Sequence, residues 1–303
     1  MSDPDAPAGG AEVRHADVFG VLANETRMAI VRALARGHGG EDSTGFGVTL
    51  SFSELRDAVG LRDSGQFNYH LDKLTGRFVI KTDEGYRLTY TGGLLYRLAE
   101  AGLFAPQSDL EPFETSVDCL HCETPLEATY SDGIFRITCP GCEREYMSWQ
   151  LPPTGTAAWD GEELLGTFDQ YIRHHILLLN HDICVRCAGH MPPSVRTWTD
   201  DQLTGTAGDV MVSFERECRR CGEHLITTAG EAVLYHPATV AFFYERGTDI
   251  TERYLWNLGF VVDQRQTIVR AEDPWELAVT LACDGDERML VLDDNADVVA
   301  VEG

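Results

Sequence analysis

The sequence predicts an α+β chain: helices closed by a small β-hairpin, two cysteine-bearing β modules, then further helices and a terminal sheet. Three observations carry this. Four C-x-x-C pairs lie between Cys119 and Cys221. Ahead of them, helical periodicity gives way to two short alternating stretches around residues 78–89. Alternation returns over residues 266–301, as in the strands of a small sheet.

Composition sets the limits. A chain of 303 residues has room for two or three domains. It holds 24 Lys+Arg against 49 Asp+Glu, a net charge of −25, and only Lys73 and Lys81 are lysines. An acidic, lysine-poor surface suits a cytosol at molar salt, so the chain reads as that of a halophilic archaeon. Acidity is then a solubility device and does not exclude nucleic acid as a partner. It is also uneven. Residues 11–104 hold 11 Lys/Arg and 12 Asp/Glu, while the rest hold 13 and 37. A near-neutral stretch in so acidic a chain points to an anionic partner there. Residues 1–12 lack the basic and apolar regions of a targeting segment and read as a disordered leader. No apolar run, Ile176–Leu179 included, is long enough to span a bilayer. A cytoplasmic protein with no membrane partner is expected.

In chain order, a domain over 13–104 comes first. Val18, Phe19 and Leu22 mark a short helix. Asn24 caps a second, with Ile30, Val31 and Leu34 on its apolar face. Val48–Leu50 reads as a short strand. Ser51 and Glu54 form a capping box for a helix buried through Leu55, Ala58 and Val59 and stopped by Gly60. After a short turn, Asp63 or Ser64 caps the next helix. Phe67, Leu71 and Leu74 face its core, and Gln66, Asn68, Tyr69, His70 and Lys73 point away. Gly76 ends it. Strands at 78–81 and 86–89 flank the turn Asp83-Glu84-Gly85. Residues 91–104 return to helix with a stripe of Leu94, Leu95, Leu98 and Leu103. Residues 105–116, with Pro106 and Pro112, read as a linker.

The cysteine pairs follow. Cys119/Cys122 and Cys139/Cys142 are 16 residues apart, and Cys184/Cys187 and Cys218/Cys221 are 30 apart. Two facing knuckles offer four thiolates to one tetrahedral ion, so the spacing predicts two zinc ribbons, 117–153 and 183–230, each with one structural Zn²⁺. Four thiolates leave no open position for water, which argues against catalytic zinc. Gly141 and Gly222 sit where a knuckle calls for positive φ. Between the ribbons, 154–182 carries a helix over 161–179 with Leu164, Leu165, Phe168, Tyr171, Ile172 and Ile176 buried. His174, His175, His181 and His190 read as helix surface and loop. Cys283 reads as a small buried residue. In 231–303, helices begin at Pro237 and at Thr248 or Asp249, the second ending before Gly259. Strands follow at 267–271, 275–282, 288–292 and 298–301. Tyr235, Phe242, Phe243, Tyr244, Tyr254 and Trp256 read mainly as core.

Helix, short turn, helix and hairpin describe a winged helix-turn-helix. The stretches "VFGVLANETRMAIVRALA", "SFSELRDAVGLRDSGQFNYHLDKLTGRFVI" and "KTDEGYRLTYTG" resemble the opening helices, the helix-turn-helix and the wing of ArsR-type winged-helix transcriptional regulators. The resemblance covers about a third of the chain. It implies double-stranded DNA as partner and a homodimer built on the first and last helices of the domain. Metal-sensing members carry cysteines on the helix before the recognition helix. Here that helix reads Glu54-Leu-Arg-Asp-Ala-Val, so metal sensing there is not implied. The cysteine pattern and "HPATVAFFYERGTDITERYLWNLGF" resemble the C-terminal region of regulators common in haloarchaea.

For DNA contact, Gln66 and Asn68 have the chemistry to read adenine, and Tyr69 can touch a thymine methyl or a phosphate. His70 shares that ridge. Ser64 at the helix N-terminus, Lys73, Arg77, and Lys81 and Arg87 on the wing are the candidate phosphate contacts. No G-x-x-x-x-G-K-S/T, H-E-x-x-H or G-x-S-x-G motif is present, so no enzyme is expected. The reading is a DNA-binding transcriptional regulator whose C-terminal module meets a small molecule or a protein. The alternatives are a basal archaeal transcription accessory factor and an interaction scaffold that does not bind DNA.

Overall fold

The computed structural model describes residues 20–36, 47–104, 109–198 and 211–303. The leader over 1–12, most of the first short helix and the start of the predicted linker lie outside the described residues. The chain divides into two compact units, Met1–Ala105 and Pro106–Gly303. Among the described residues no helix is long and apolar enough to cross a membrane.

The N-terminal unit contains helices α1 (Glu25–Ala35), α2 (Phe52–Val59) and α3 (Ser64–Leu74), strands β1 (Val79–Lys81) and β2 (Tyr86–Leu88), and helix α4 (Tyr90–Glu100). Its caps are those the sequence names. The Asn24 side chain accepts the Arg27 amide, and Ser51 and Glu54 exchange both bonds of a capping box. Gly60 ends α2 at φ 75°, and Asp63 accepts the amides of Gly65 and Gln66 to start α3. The core joins Ile30, Val31 and Leu34 of α1 to Leu55, Phe67, Leu71, Leu74, Phe78 and Leu88. On α2 only Leu55 is fully buried. Ala58 is exposed, and Phe52 takes its place by meeting the Phe67 ring edge-on at 5.1 Å. The predicted strand at 48–50 reduces to one bridge, Leu50 to Tyr86.

The C-terminal unit is built on three antiparallel sheets. The first has the order β3 (Leu110–Asp118), β4 (Pro125–Ser131), β5 (Ile134–Thr138), β6 (Glu145–Gln150). This corrects the predicted linker: residues 110–116 are strand, because β3 pairs with β4 from Leu110↔Tyr130 to Asp118↔Pro125. Pro112 is tolerated because β3 is an edge strand with irregular register. Helix α5 (Pro153–Ala158) leads to α6 (Gly161–Leu179), which packs the sheet through Phe168, whose ring centroid lies 4.4 Å from that of Phe135. The second sheet is β7 (Pro193–Trp198), β8 (Met211–Glu217), β9 (His224–Thr228). Helices α7 (Ala229–Val233) and α8 (Pro237–Tyr244) follow.

The predicted helix from Thr248 is instead a turn, a 3₁₀ turn at Leu255–Asn257 and a one-turn helix α9 (Gly259–Val262). The reason is local: Asp249 accepts the Thr251 amide and hydroxyl, which ties the chain into an Asx-type turn. The third sheet, β10 (Thr267–Glu272), β11 (Trp275–Cys283), β12 (Asp286–Leu292) and β13 (Val298–Glu302), is a simple meander. One core runs from the first sheet through α6 to the last and includes fully buried Trp256; Phe242 is buried while Tyr244 is exposed.

Charge is buried within this core. Asp169 and Arg173 of α6 pair at 2.6 Å, and both are almost fully buried. Asp169 also accepts the Leu255 amide at 2.7 Å, and Arg173 donates to the carbonyls of Ile250 and Arg253. This pair pins the turn to the helix.

Candidate metal centres and nucleic-acid interface

Four copies of one knuckle shape the cysteine sites. The amide of the first cysteine donates to the carbonyl five residues on: Cys119 to Thr124, Cys139 to Arg144, Cys184 to Gly189, Cys218 to Glu223. The amide four residues on returns to that cysteine's carbonyl, from Glu123, Glu143, Ala188 and Gly222. Each of these four residues has a left-handed φ, between 54° and 75°. Only Gly222 is a glycine, so three side chains tolerate the conformation. Gly141 corrects the sequence reading, since its φ is not positive. Its role is close approach: a Cβ there would lie 2.5 Å from Thr124 Oγ1.

The knuckles bring the predicted cysteines together in two clusters, Cys119/Cys122/Cys139/Cys142 and Cys184/Cys187/Cys218/Cys221, with all four sulfurs within 4.8 Å of one another. Neighbouring sulfurs are 3.7 Å (Cys119–Cys142) and 3.4 Å (Cys122–Cys139) apart in the first, and 3.6 Å (Cys184–Cys221) and 3.5 Å (Cys187–Cys218) apart in the second. A disulfide needs about 2.05 Å. A tetrahedral ion with bonds of about 2.3 Å to sulfur sets its ligands about 3.8 Å apart. The spacing fits a metal ion and not a cystine, and both groups can hold one. In every pair the first cysteine is buried and the second exposed.

Without a cation, four sulfurs this close cannot all ionise. Burial pushes Cys119 up, but the Tyr146 hydroxyl and the His121 and Cys122 amides outweigh it and bring the thiol down to about 6. Burial drives Cys139 the other way, to about 12. In the second cluster burial is again outweighed at Cys218, by the Cys221 and Arg220 amides, and that thiol falls to about 7. Cys221, against the Glu223 amide that would lower it, rises to about 12 through burial and its sulfur neighbours. A bound divalent cation removes the conflict by holding all four as thiolates.

Tyr146 has no signal in the sequence. Its hydroxyl accepts the Leu120 amide at 2.7 Å and lies 3.3 Å from Cys119 Sγ, in donor position. The second cluster has Arg216 nearby, fully buried, with Nη1 donating to Asp182 Oδ1 at 2.8 Å. His121 and His224 are not ligands: His121 Nδ1 meets Arg265 at 3.1 Å, and His224 Nε2 meets Glu215 Oε1 at 2.6 Å. His175 is buried, contrary to the surface reading. It accepts the Trp149 indole N–H at 3.1 Å, and burial, with Arg186 and His174 nearby, holds it down to about 4. Cys283 is only half-buried and lies 3.8 Å from Thr248 Oγ1, away from both clusters.

On α3, Ser64, Gln66, Asn68, Tyr69 and Lys73 are all exposed, with Gln66, Tyr69 and Lys73 sharing one face and Asn68 and Ser64 lying on the other side of the buried Phe67, Leu71 and Leu74 stripe. Tyr69 is 58% exposed, and Lys73 Nζ lies over its ring at 5.6 Å. Asn68 Nδ2 donates to Asp72 at 2.9 Å, which orients the amide. His70 is the correction. It is only 9% exposed, because it stands one turn before Leu74 on the core side, where its ring edge meets Tyr69. Arg77 and Lys81 are exposed, whereas Arg87 is half-buried within β2. Lys81 Nζ stands 5.8 Å over the Tyr86 ring.

No curated protein and no solved structure matches the chain. Two family models do. One, described as a domain of unknown function (DUF7347), matches residues 15–99, the helices and hairpin of the N-terminal unit. The other, also described as a domain of unknown function (DUF7351), matches residues 116–298 and so takes in both cysteine clusters, α6 and the first three strands of the terminal sheet. Because that match spans well over half of the sequence, the chain belongs to the DUF7351 family.

Proposed function

We propose that this protein is a sequence-specific DNA-binding transcriptional regulator. Its N-terminal unit is read as an ArsR-type winged helix-turn-helix, with α2 and α3 as the helix-turn-helix and β1–β2 as the wing. The observation that carries the reading is the exposed surface of α3. Gln66, Asn68, Tyr69 and Lys73 stand exposed on a helix whose opposite face is anchored by three fully buried apolar residues. Such a helix can enter a major groove with its amide side chains at base edges. Ser64, Arg77 and Lys81 flank it as phosphate contacts, and both lysines of the chain fall in this segment. At molar salt counterion release contributes little, so base contacts and shape must supply most of the selectivity. An exposed helix surface richer in amides than in cations suits that condition.

Zinc is the ion proposed for both cysteine clusters, with a structural role. A homodimer is proposed through α4 and the turn that follows it, where Leu94 of the helix and Leu103 and Phe104 of the turn remain exposed. The protein works in the cytoplasm in this reading, and its C-terminal unit receives a signal or partner.

The test is retention of promoter fragments from the source genome at molar KCl. The metal-loaded wild type is compared with a Gln66→Ala, Asn68→Ala variant. Wild type is expected to retain a few fragments selectively and the variant to lose that selectivity. Retention of none, or of all equally, by folded wild type would overturn the reading.

A further inference from the structure

Among the described residues, two sheets of the C-terminal unit each end in a strand with one unpaired edge, and both strands border the same cleft. Strand β6 ends the first sheet and β9 ends the second. Ser148, Trp149 and Gln150 of β6 and His224, Leu225 and Ile226 of β9 line this one cleft of about 300 Å³. The registers assign the side chains. Ser148 and Gln150 lie opposite Arg136 and Ile134, and His224 and Ile226 opposite Glu217 and Glu215, on the faces away from the core. Trp149 and Leu225 alternate to the inner side and pack against the small core of Leu179, Met191 and two buried cysteines. The cleft therefore has an apolar floor and two backbone walls. Arg186 spans one end, donating to Gln150 Oε1 on one side and to Glu223 Oε2 at 3.2 Å on the other. Among the described residues no backbone hydrogen bond joins β6 to β9.

The geometry points to this cleft as a docking slot for an extended peptide segment of a partner protein. A row of unpaired amides and carbonyls is a template for another main chain, and here two rows border one slot. A small apolar molecule could fill the floor but could not satisfy the edges. A polyphosphate chain is disfavoured by the nearby carboxylates of Glu215 and Glu223, which already occupy His224 and Arg186. The docked segment adds a strand to β6, to β9 or to both. It seats apolar side chains against Trp149, Leu225 and Ile226, the last 41% exposed in the free protein. The inference rests on the proposed function only in giving that regulator's C-terminal unit a partner.

The experiment pans a phage-displayed library of random short peptides on full-length, metal-loaded protein in molar KCl. Selected peptides are synthesised, and amide hydrogen exchange is followed with and without them. The expected result is slowed exchange in 145–150, in 224–228 or in both. Binding should weaken about tenfold or more in Ile226→Glu and in Ser148→Trp, which charge and fill the slot. Failure to select any peptide, protection elsewhere only, or equal binding by both variants would overturn the slot. Promoter retention on the same preparations separates the two ideas. Retention without peptide binding removes the slot and keeps the DNA reading; slot protection without retention does the reverse.

Discussion

The two cysteine clusters share one knuckle and differ in what surrounds it. The first is local: its cysteines flank consecutive strands of one sheet, and its added partner is the Tyr146 hydroxyl. The second closes a longer stretch of chain and is braced by charge, with fully buried Arg216 reaching Asp182 at the entrance of its first knuckle. Glu231 stands behind it, buried, its carboxylate accepting the Thr228 amide at 2.7 Å. A knuckle thus sets ligand geometry by itself, while its setting decides what else fails when the metal leaves.

The largest effect should come from the metal. Elemental analysis of reduced protein is expected to find two ions per chain, one for each cluster. A strong chelator should abolish near-ultraviolet circular dichroism of the C-terminal unit, because the binding energy of such an ion is folding energy. Cys184→Ser should disturb α6 and α7 as well as the knuckles; Cys119→Ser should leave β7–β9 ordered, as amide exchange would report. Identical damage from both would erase the distinction between the two clusters.

Next is Asp182→Asn, which leaves the fully buried Arg216 guanidinium without its carboxylate. It is expected to cost on the order of 3 kcal/mol in denaturant unfolding, with metal still held at the first cluster.

Glu231 gives a pH signature of similar or smaller size. Burial raises its carboxyl to about 7, against the pull of Thr228 and Arg216. The unfolded chain then releases this proton at lower pH than the folded chain does. Stability falls as pH rises from the ordinary glutamate range through about 7, and is level above it. Relative to Glu231→Gln, metal-loaded wild type should lose roughly 2–3 kcal/mol between pH 5 and pH 8. A difference independent of pH would sink this assignment.

The smallest effect is Tyr146→Phe. It removes the acceptor of one amide and a hydroxyl beside one sulfur, for about 1 kcal/mol. Metal transfer to a chromophoric chelator should quicken at the first cluster and stay unchanged at the second.

How much of this could be read beforehand follows from the range of the forces. Caps, turns and knuckles depend on neighbours a few residues away, so Ser51/Glu54, Asp63 and all eight clustered cysteines were legible. So were the four terminal strands, because alternation is a local pattern. Tyr146, Arg216 and the Asp169–Arg173 pair were not, since their partners lie up to 86 residues away. His70 failed for a related reason. A 3.6-residue period puts position 70 near the border of the apolar stripe, and packing alone decides which way a histidine there turns. The linker reading fails because Pro112 lies on an edge strand, where a proline carries little weight against the alternation of residues 110–118.

One element has consequences for anyone who divides this protein. At 19 residues, α6 is about 28 Å long. It behaves as a shaft held in three bearings: the first sheet along its flank, the Asp169–Arg173 knot at its middle, and the Asn180 amide at its end, which donates to the carbonyls of Glu231 and Ala232. Cutting on either side of it strands an apolar stripe. A fragment ending at Pro152 or beginning at Asp182 is therefore expected to aggregate, whereas one spanning 109–303 keeps every bearing. The boundaries that cysteine spacing suggests are poor places to cut.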